Sequence, residues 1–171
     1  MRRLLLVLLV LLAGASVVFA VTACRTYLDL RRVEAADAAS ASALAAARTM
    51  APDLLSYDYR TIDQDLRRAR DRATGALARR YGELAATLPE EARRRRLVQQ
   101  AVVAAAGVES ATPEEVRVLV FVNMIRSGAG AEGEDPEQQV SQGRARLVLV
   151  TDGDGWRAAD LSTLLGDTPA R

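Results

Sequence analysis

Histidine and lysine are both missing from these 171 residues, and cysteine occurs once, at Cys24. Without histidine the chain lacks the side chain most often used as a general base and as a metal ligand. Without lysine it can form no Schiff base, since all 23 basic residues are arginine. One cysteine allows neither an intrachain disulfide nor a thiolate cluster for zinc. Aromatic residues make up 4% of the chain, so the core must be built from aliphatic side chains. A net charge of +1 gives no concentrated positive field of the kind that holds nucleic acid, and no nucleic-acid partner is expected. Enzyme chemistry would be left to carboxylates, tyrosine, serine and threonine. No cofactor is expected.

What the chain does have is a long apolar start. Met1-Arg2-Arg3 precedes an uncharged run from Leu4 to Ala23, softened only by Gly14, Ser16 and Thr22. A helix of that length rises about 30 Å, the thickness of a bilayer's hydrocarbon core. The expectation is a single-pass signal anchor over residues 1–24, with the N-terminus cytoplasmic and the rest extracytoplasmic. Val21-Thr22-Ala23-Cys24 also fits the loose pattern of a bacterial lipobox, which would make the chain a lipoprotein anchored at Cys24. The run exceeds the usual signal-peptide core of about 7–15 residues, which favours a retained anchor. Both alternatives place the remainder outside the cytoplasm.

Beyond the anchor, residues 25–52 read as an alanine-rich helix or stalk, with Leu28, Ala35, Ala39, Ala43, Ala46 and Met50 at helical spacing and Pro52 bending or ending it. Leu54 to Arg60 reads as a connecting turn. Thr61 and Gln64 have the spacing of a capping box. Ile62, Leu66, Ala69, Ala73, Leu77, Tyr81 and Leu84 then give one amphipathic helix. A further helical piece begins at Pro89 and closes with Arg93 to Arg96. From Val98 the period changes to two, with strands expected near 98–108, over Val116 to Ile125, over Gly143 to Thr151 and over Trp156 to Leu161. Ser127 to Ser141 is an acidic, glycine-rich loop, and Asp152-Gly153-Asp154-Gly155 a hairpin turn. Helices followed by an antiparallel meander make an α+β domain over residues 53–165, with 166–171 as a tail.

Few residues invite a site. Tyr57, Asp58 and Tyr59 could polarise a carbonyl if they met in an apolar pocket. The plainer reading has the tyrosines filling the mouth of the curved sheet, their hydroxyls satisfied locally, with Asp58 capping or pairing at the surface. Trp156 reads as a core plug beneath the helices. The turn at Asp152 to Gly155 lacks the carboxylates of a calcium loop, so no metal is expected. The run Arg93 to Arg96 reads as a solvated helix face more readily than as an anion grip. No residue is assigned as catalytic. Tyr57, Asp58, Tyr59 and Trp156 stand as candidate pocket or interface residues.

Three segments carry a resemblance. Leu54 to Asp63, Val116 to Asn123 and Gly153 to Leu161 look like corresponding parts of Mce-associated membrane proteins, in order and spacing over about residues 40–165. The Cys24 pattern departs from that family. The resemblance implies an NTF2-like cone, helices packed on a curved antiparallel sheet of about four strands. It also implies a non-catalytic accessory role beside Mce-type lipid import complexes in the cell envelope, in their assembly or stability. The expected partners are the membrane, Mce subunits or other membrane proteins, and lipid. The alternatives are a lipid- or steroid-binding carrier using the cone pocket and, less favoured, a small isomerase-like enzyme.

Overall fold

The computed structural model describes residues 2–129, 137–153 and 155–164, apart from the side chains of residues 2–13, 15, 17, 18, 137 and 164. The elements are α1 (Arg2–Leu55), β1 (Tyr57–Asp58), α2 (Ile62–Arg72), α3 (Gly75–Arg94), β2 (Val98–Ala111), β3 (Glu115–Gly128), β4 (Glu137–Asp152) and β5 (Gly155–Leu164). Among the described residues no helix is long and apolar enough to cross a membrane. The anchor expected over residues 1–24 falls largely on side chains outside that description.

α1 has two parts. From Phe19 to Ala35 every described side chain is exposed. From Ala39 onward one stripe is buried: Ala39, Ala43, Ala47, Met50, Ala51 and Leu54. These recur at the helical period, and the four alanines let the helix axis lie close to the sheet. Pro52 does not end the helix, which runs on to Leu55. Its missing N–H forfeits only the bond to the Arg48 carbonyl, and Arg48 is exposed, so water can serve that oxygen.

The five strands form one antiparallel sheet in the order β1-β2-β3-β4-β5, one more than expected because the two-residue β1 was hidden in the connecting turn. Alternation decides its faces. Val116, Val118, Val120, Val122 and Met124 of β3 and Ala145, Leu147 and Leu149 of β4 are buried under the helices. Burying each of the four valines stabilises the fold by about 1.5–3 kcal/mol. β4 begins at Glu137, inside the stretch expected to be loop, because it pairs residue for residue with β3 as far as Glu137 opposite Gly128. β5 likewise runs past Leu161 to Leu164, opposite Arg144. The class is α+β, with helices first and an open antiparallel sheet behind them.

The helix expected from Thr61 to Leu84 is two helices. Ala73 is extended, with φ −101° and ψ 161°, and Gly75 turns left-handed at φ +56°. The Thr74 amide donates to the Ala158 carbonyl at 2.8 Å, and Ala73 bridges Ala158. The break stitches the helical layer to β5. Leu77 and Tyr81 return to the buried side beyond it, so the apolar spacing continues through the break. α3 then passes through Pro89, where a separate helix was expected to begin, and ends at Arg94.

Two glycines test this account. A Cβ at Gly75 or at Gly82 would meet nothing within 4 Å, so only backbone conformation separates them. Gly75→Ala should lower stability by about 1 kcal/mol, since it forces alanine into the left-handed region. Gly82→Ala, inside a regular helix, should raise it by about 0.5–1 kcal/mol. Urea melts of the two variants read both signs.

Candidate functional site: the polar cluster at the end of the first helix

A helix leaves its last carbonyls without intrahelical partners. At the end of α1, two of these are met by side chains from distant elements. Tyr81 of α3 donates its hydroxyl to the Leu54 carbonyl at 2.7 Å. Gln99 of β2 donates its Nε2 to the Leu55 carbonyl at 2.5 Å, and its Oε1 accepts from Arg126 Nε at 2.6 Å. Ser56, next in the chain, gives its amide to the Pro52 carbonyl and accepts the Ala101 amide on its Oγ.

Asp65 is the second centre of the cluster and, with Gln99, one of two buried polar side chains among the described residues. Its Oδ2 accepts from the Asp58 amide at 3.0 Å and from Thr61 Oγ1 at 2.8 Å, and its Oδ1 from Arg68 Nη2 at 2.8 Å. The capping box expected between Thr61 and Gln64 is therefore replaced, because the Thr61 hydroxyl turns to Asp65 instead of to the backbone. Asp53, in the last turn of α1, would sit poorly at a helix C-terminus. Arg72 Nε at 3.1 Å and Arg68 Nη1 at 3.8 Å offset its charge and clasp α1 to α2. Among the described residues no buried side-chain nitrogen or oxygen is left without a partner.

Tyr57, Asp58 and Tyr59 lie at the margin of this cluster, half-buried. Tyr57 and Asp58 are β1, paired with Gln99 and Val98. Asp58 Oδ1 accepts the Arg60 amide at 2.9 Å, a local turn contact. The Tyr59 hydroxyl accepts from Arg60 Nε at 3.2 Å, and that guanidinium stacks over the ring. Among the described residues no hydrogen bond joins Asp58 to either tyrosine, and Tyr57 and Asp58 line one open depression together with Asp65, Arg68 and Gln99. Trp156 is elsewhere. It lies on β5, the opposite edge, four strand spacings or roughly 19 Å from β1. It is half-buried and packed against the core, and its indole N–H donates to Ser42 Oγ of α1 at 3.0 Å. The four candidates therefore do not form one site.

The other sequence features resolve locally. Cys24 is an exposed residue of α1. Arg93 pairs with Asp63, and Arg94 and Arg95 with Glu91, so this is a solvated, ion-paired helix end. Asp152 pairs with Arg157, and Asp154 lies outside the described residues. Among the described residues no three acidic or cysteine side chains gather as a metal set. Between helices and sheet the buried side chains of α1, α2, α3 and the sheet pack as one cluster, and an open groove lies where Arg48 and Pro52 of α1 face Ala101 to Ala105 of β2. Sequence reasoning missed Asp65, Gln99 and Tyr81. The available signal was a glutamine at the start of a strand and a tyrosine on an otherwise aliphatic helix face.

Burial pushes the Tyr81 phenol up to about 12 from an ordinary 10, against a smaller opposing effect of the Arg80 charge. A raised acid favours the neutral form in the folded protein. Its contribution is complete below about pH 10 and disappears as pH rises through about 12. Stability should therefore fall by about 2–3 kcal/mol across that window. Tyr81→Phe should lose about 1–2 kcal/mol at neutral pH, with the Leu54 carbonyl left bare, and lack the alkaline step. Denaturant melts at a series of pH values separate the two effects. A second comparison concerns the carboxylates. Asp65→Ala should cost about 1–2 kcal/mol, because it removes the acceptor of a half-buried backbone amide and the partner of the Thr61 hydroxyl and of Arg68. Asp58→Asn keeps its acceptor oxygen and should change stability by less than about 0.5 kcal/mol.

The same arrangement occurs in solved structures. An IcmL-like type IV secretion system protein from Legionella pneumophila is 13% identical, with a TM-score of 0.58 over 77% of this chain and 96% of that one. CagV, a VirB8 homolog of the type IV secretion system of Helicobacter pylori, is 10% identical, with a TM-score of 0.52 over 72% and 96%. The VirB8 protein of Agrobacterium tumefaciens is 14% identical, with a TM-score of 0.52 over 75% and 94%. At such identities the likeness shows the fold alone, helices followed by an open antiparallel sheet. No curated protein matches the sequence. A family model does, across residues 6–159, and the chain belongs to the family described as Uncharacterized protein Rv1363c/MT1408-like.

Proposed function

We propose that this protein is a non-catalytic, membrane-anchored assembly factor of the cell envelope, serving Mce-type lipid import complexes. In this reading residues 1–24 form the anchor, or Cys24 carries a lipid in its place. The extracytoplasmic domain includes the packed half of α1 from Ala39 onward as well as the helices and sheet that follow it. The observation that carries the reading is a packed interior beside a fully satisfied polar cluster. Among the described residues the buried polar groups hold elements together, and none of their side-chain nitrogens or oxygens lacks a partner. Two further supports are independent of it. The same fold occurs in proteins of type IV secretion systems. The segments Leu54 to Asp63, Val116 to Asn123 and Gly153 to Leu161 resemble Mce-associated proteins.

A lipid or steroid carrier would need an enclosed apolar chamber between helices and sheet, and the described residues there form a packed cluster beside an open groove. An isomerase would need Asp58 and a tyrosine in a closed apolar pocket; Asp58 and Tyr59 bond to Arg60, and the depression that Tyr57 and Asp58 share is open and lined with Asp65, Arg68 and Gln99. The assembly reading is tested by deleting the gene and measuring the abundance of Mce subunits together with uptake of a labelled lipid. Both should fall, and the intact chain should restore them. Unchanged values for both would refute the reading.

A further inference from the structure

The sheet's first edge is almost bare. β1 covers only Val98 and Gln99 of β2. The next outward amide, that of Ala101, is met by Ser56 Oγ at 3.0 Å. Strand residues alternate in the side to which they point their backbone groups, so Val103 is the next to point outward. Among the described residues no strand lies beyond β2 from Val102 to Val108 and no group bonds its outer edge there.

An edge of this length is normally blunted by charge or proline. Val102 to Val108 reads Val-Val-Ala-Ala-Ala-Gly-Val, with neither. The bulge between Val103 and Ala105 is the only such device within it. The nearest charge on its own strand is Glu109, which is engaged by Arg146 through two bonds of 2.5 and 3.0 Å. Val102 is 49% exposed. Beside the edge runs an open groove of about 620 Å³, lined by Arg48 and Pro52 of α1 and by Ala101 to Ala105. Arg48 is exposed and has no carboxylate partner among the described residues.

We propose that this edge takes up an extended segment of a partner protein as a sixth strand, with an acidic side chain of that segment on Arg48. Main-chain bonds supply the hold, small apolar side chains fit beside Val102 and Ala105, and the carboxylate fixes the register. A second copy of this chain is a poor occupant. α1 ends where β2 begins, at the Leu55–Gln99 bond, and packs along that strand in the opposite direction. Antiparallel pairing of two β2 edges would bring two Arg48 side chains together. It would also send the two α1 helices in opposite directions, which one membrane does not allow. That last clause rests on the anchored reading proposed above.

Hydrogen exchange tests the edge in the full chain. Exchange is run in membranes of the protein's own cells, and again on the protein purified in detergent, and read on fragments covering 101–108. In membranes the slowest outward amides should exchange about tenfold more slowly than in the purified protein. Arg48→Glu and Ala105→Asp should each remove most of that difference while leaving the melting temperature of the purified protein unchanged. Equal exchange in the two settings overturns the proposal. So does protection that rises with concentration in the purified protein, which would identify a second copy. If the edge is protected but Mce abundance is independent of the gene, the assembly reading fails and the edge stands. The reverse result removes the edge and leaves the reading.

Discussion

The fold depends on how the end of α1 is closed. Its last carbonyls point away from water, into a region where an unpaired acceptor would cost about 1–3 kcal/mol. Tyr81 and Gln99 meet two of them. One comes from α3 and the other from β2, so satisfying a local need of the helix fixes a global arrangement. Gln99 then reaches Arg126 of β3 with its other end. A single helix terminus thereby ties together the helical layer and the first strands of the sheet. Asp65 repeats the logic one step later, joining β1, the start of α2 and Arg68.

At the far side the tie is made from backbone. Ala73 and Thr74 leave the helical path and bond to Ala158 of β5. The helices are thus held at both margins of the sheet, by side chains at one and by main chain together with Trp156 and Arg157 at the other. Between these margins the packing is unspecific in kind, alanine and valine against leucine, with Met50 and Met124 as the adaptable members. Polar bonds give the layers their bearing, and apolar area gives the stability.

The sheet was the legible part of the sequence. Val116 to Met124 alternate with solvent-facing residues, and the period of two has no other reading. The break at Ala73 was not legible, because Ala69, Ala73, Leu77 and Tyr81 keep a perfect four-residue step across it. The apolar pattern records which side faces the core, not whether the chain between is continuous. Only Gly75 signalled the break, and an isolated glycine is tolerated in helices too often to decide it. β1 was illegible for another reason, since two residues carry no periodicity. Tyr57, Asp58 and Tyr59 drew notice as a cluster, yet the decisive partners, Asp65 and Gln99, lie 7 and 44 residues from the groups they bond. Distances of that kind are set by topology. The separation of Trp156 from the tyrosines is the same lesson, because strand order decides it and composition does not.

The continuity of α1 has a mechanical consequence. No loop separates its exposed part from its packed part, so the domain has no joint at its base. With the anchor proposed above, the helix acts as a ruler and a compass. Arg48 stands 24 residues beyond Cys24, which sets it roughly 36 Å along the axis. Each residue of the exposed segment also turns the domain by about 100°, so its length fixes the direction in which the β2 edge looks. Height and heading are therefore written into one number, the count of residues between membrane and core. Adding seven residues would lift the domain by about 10 Å and leave its heading nearly the same, whereas adding one would barely lift it and swing the edge more than a quarter turn.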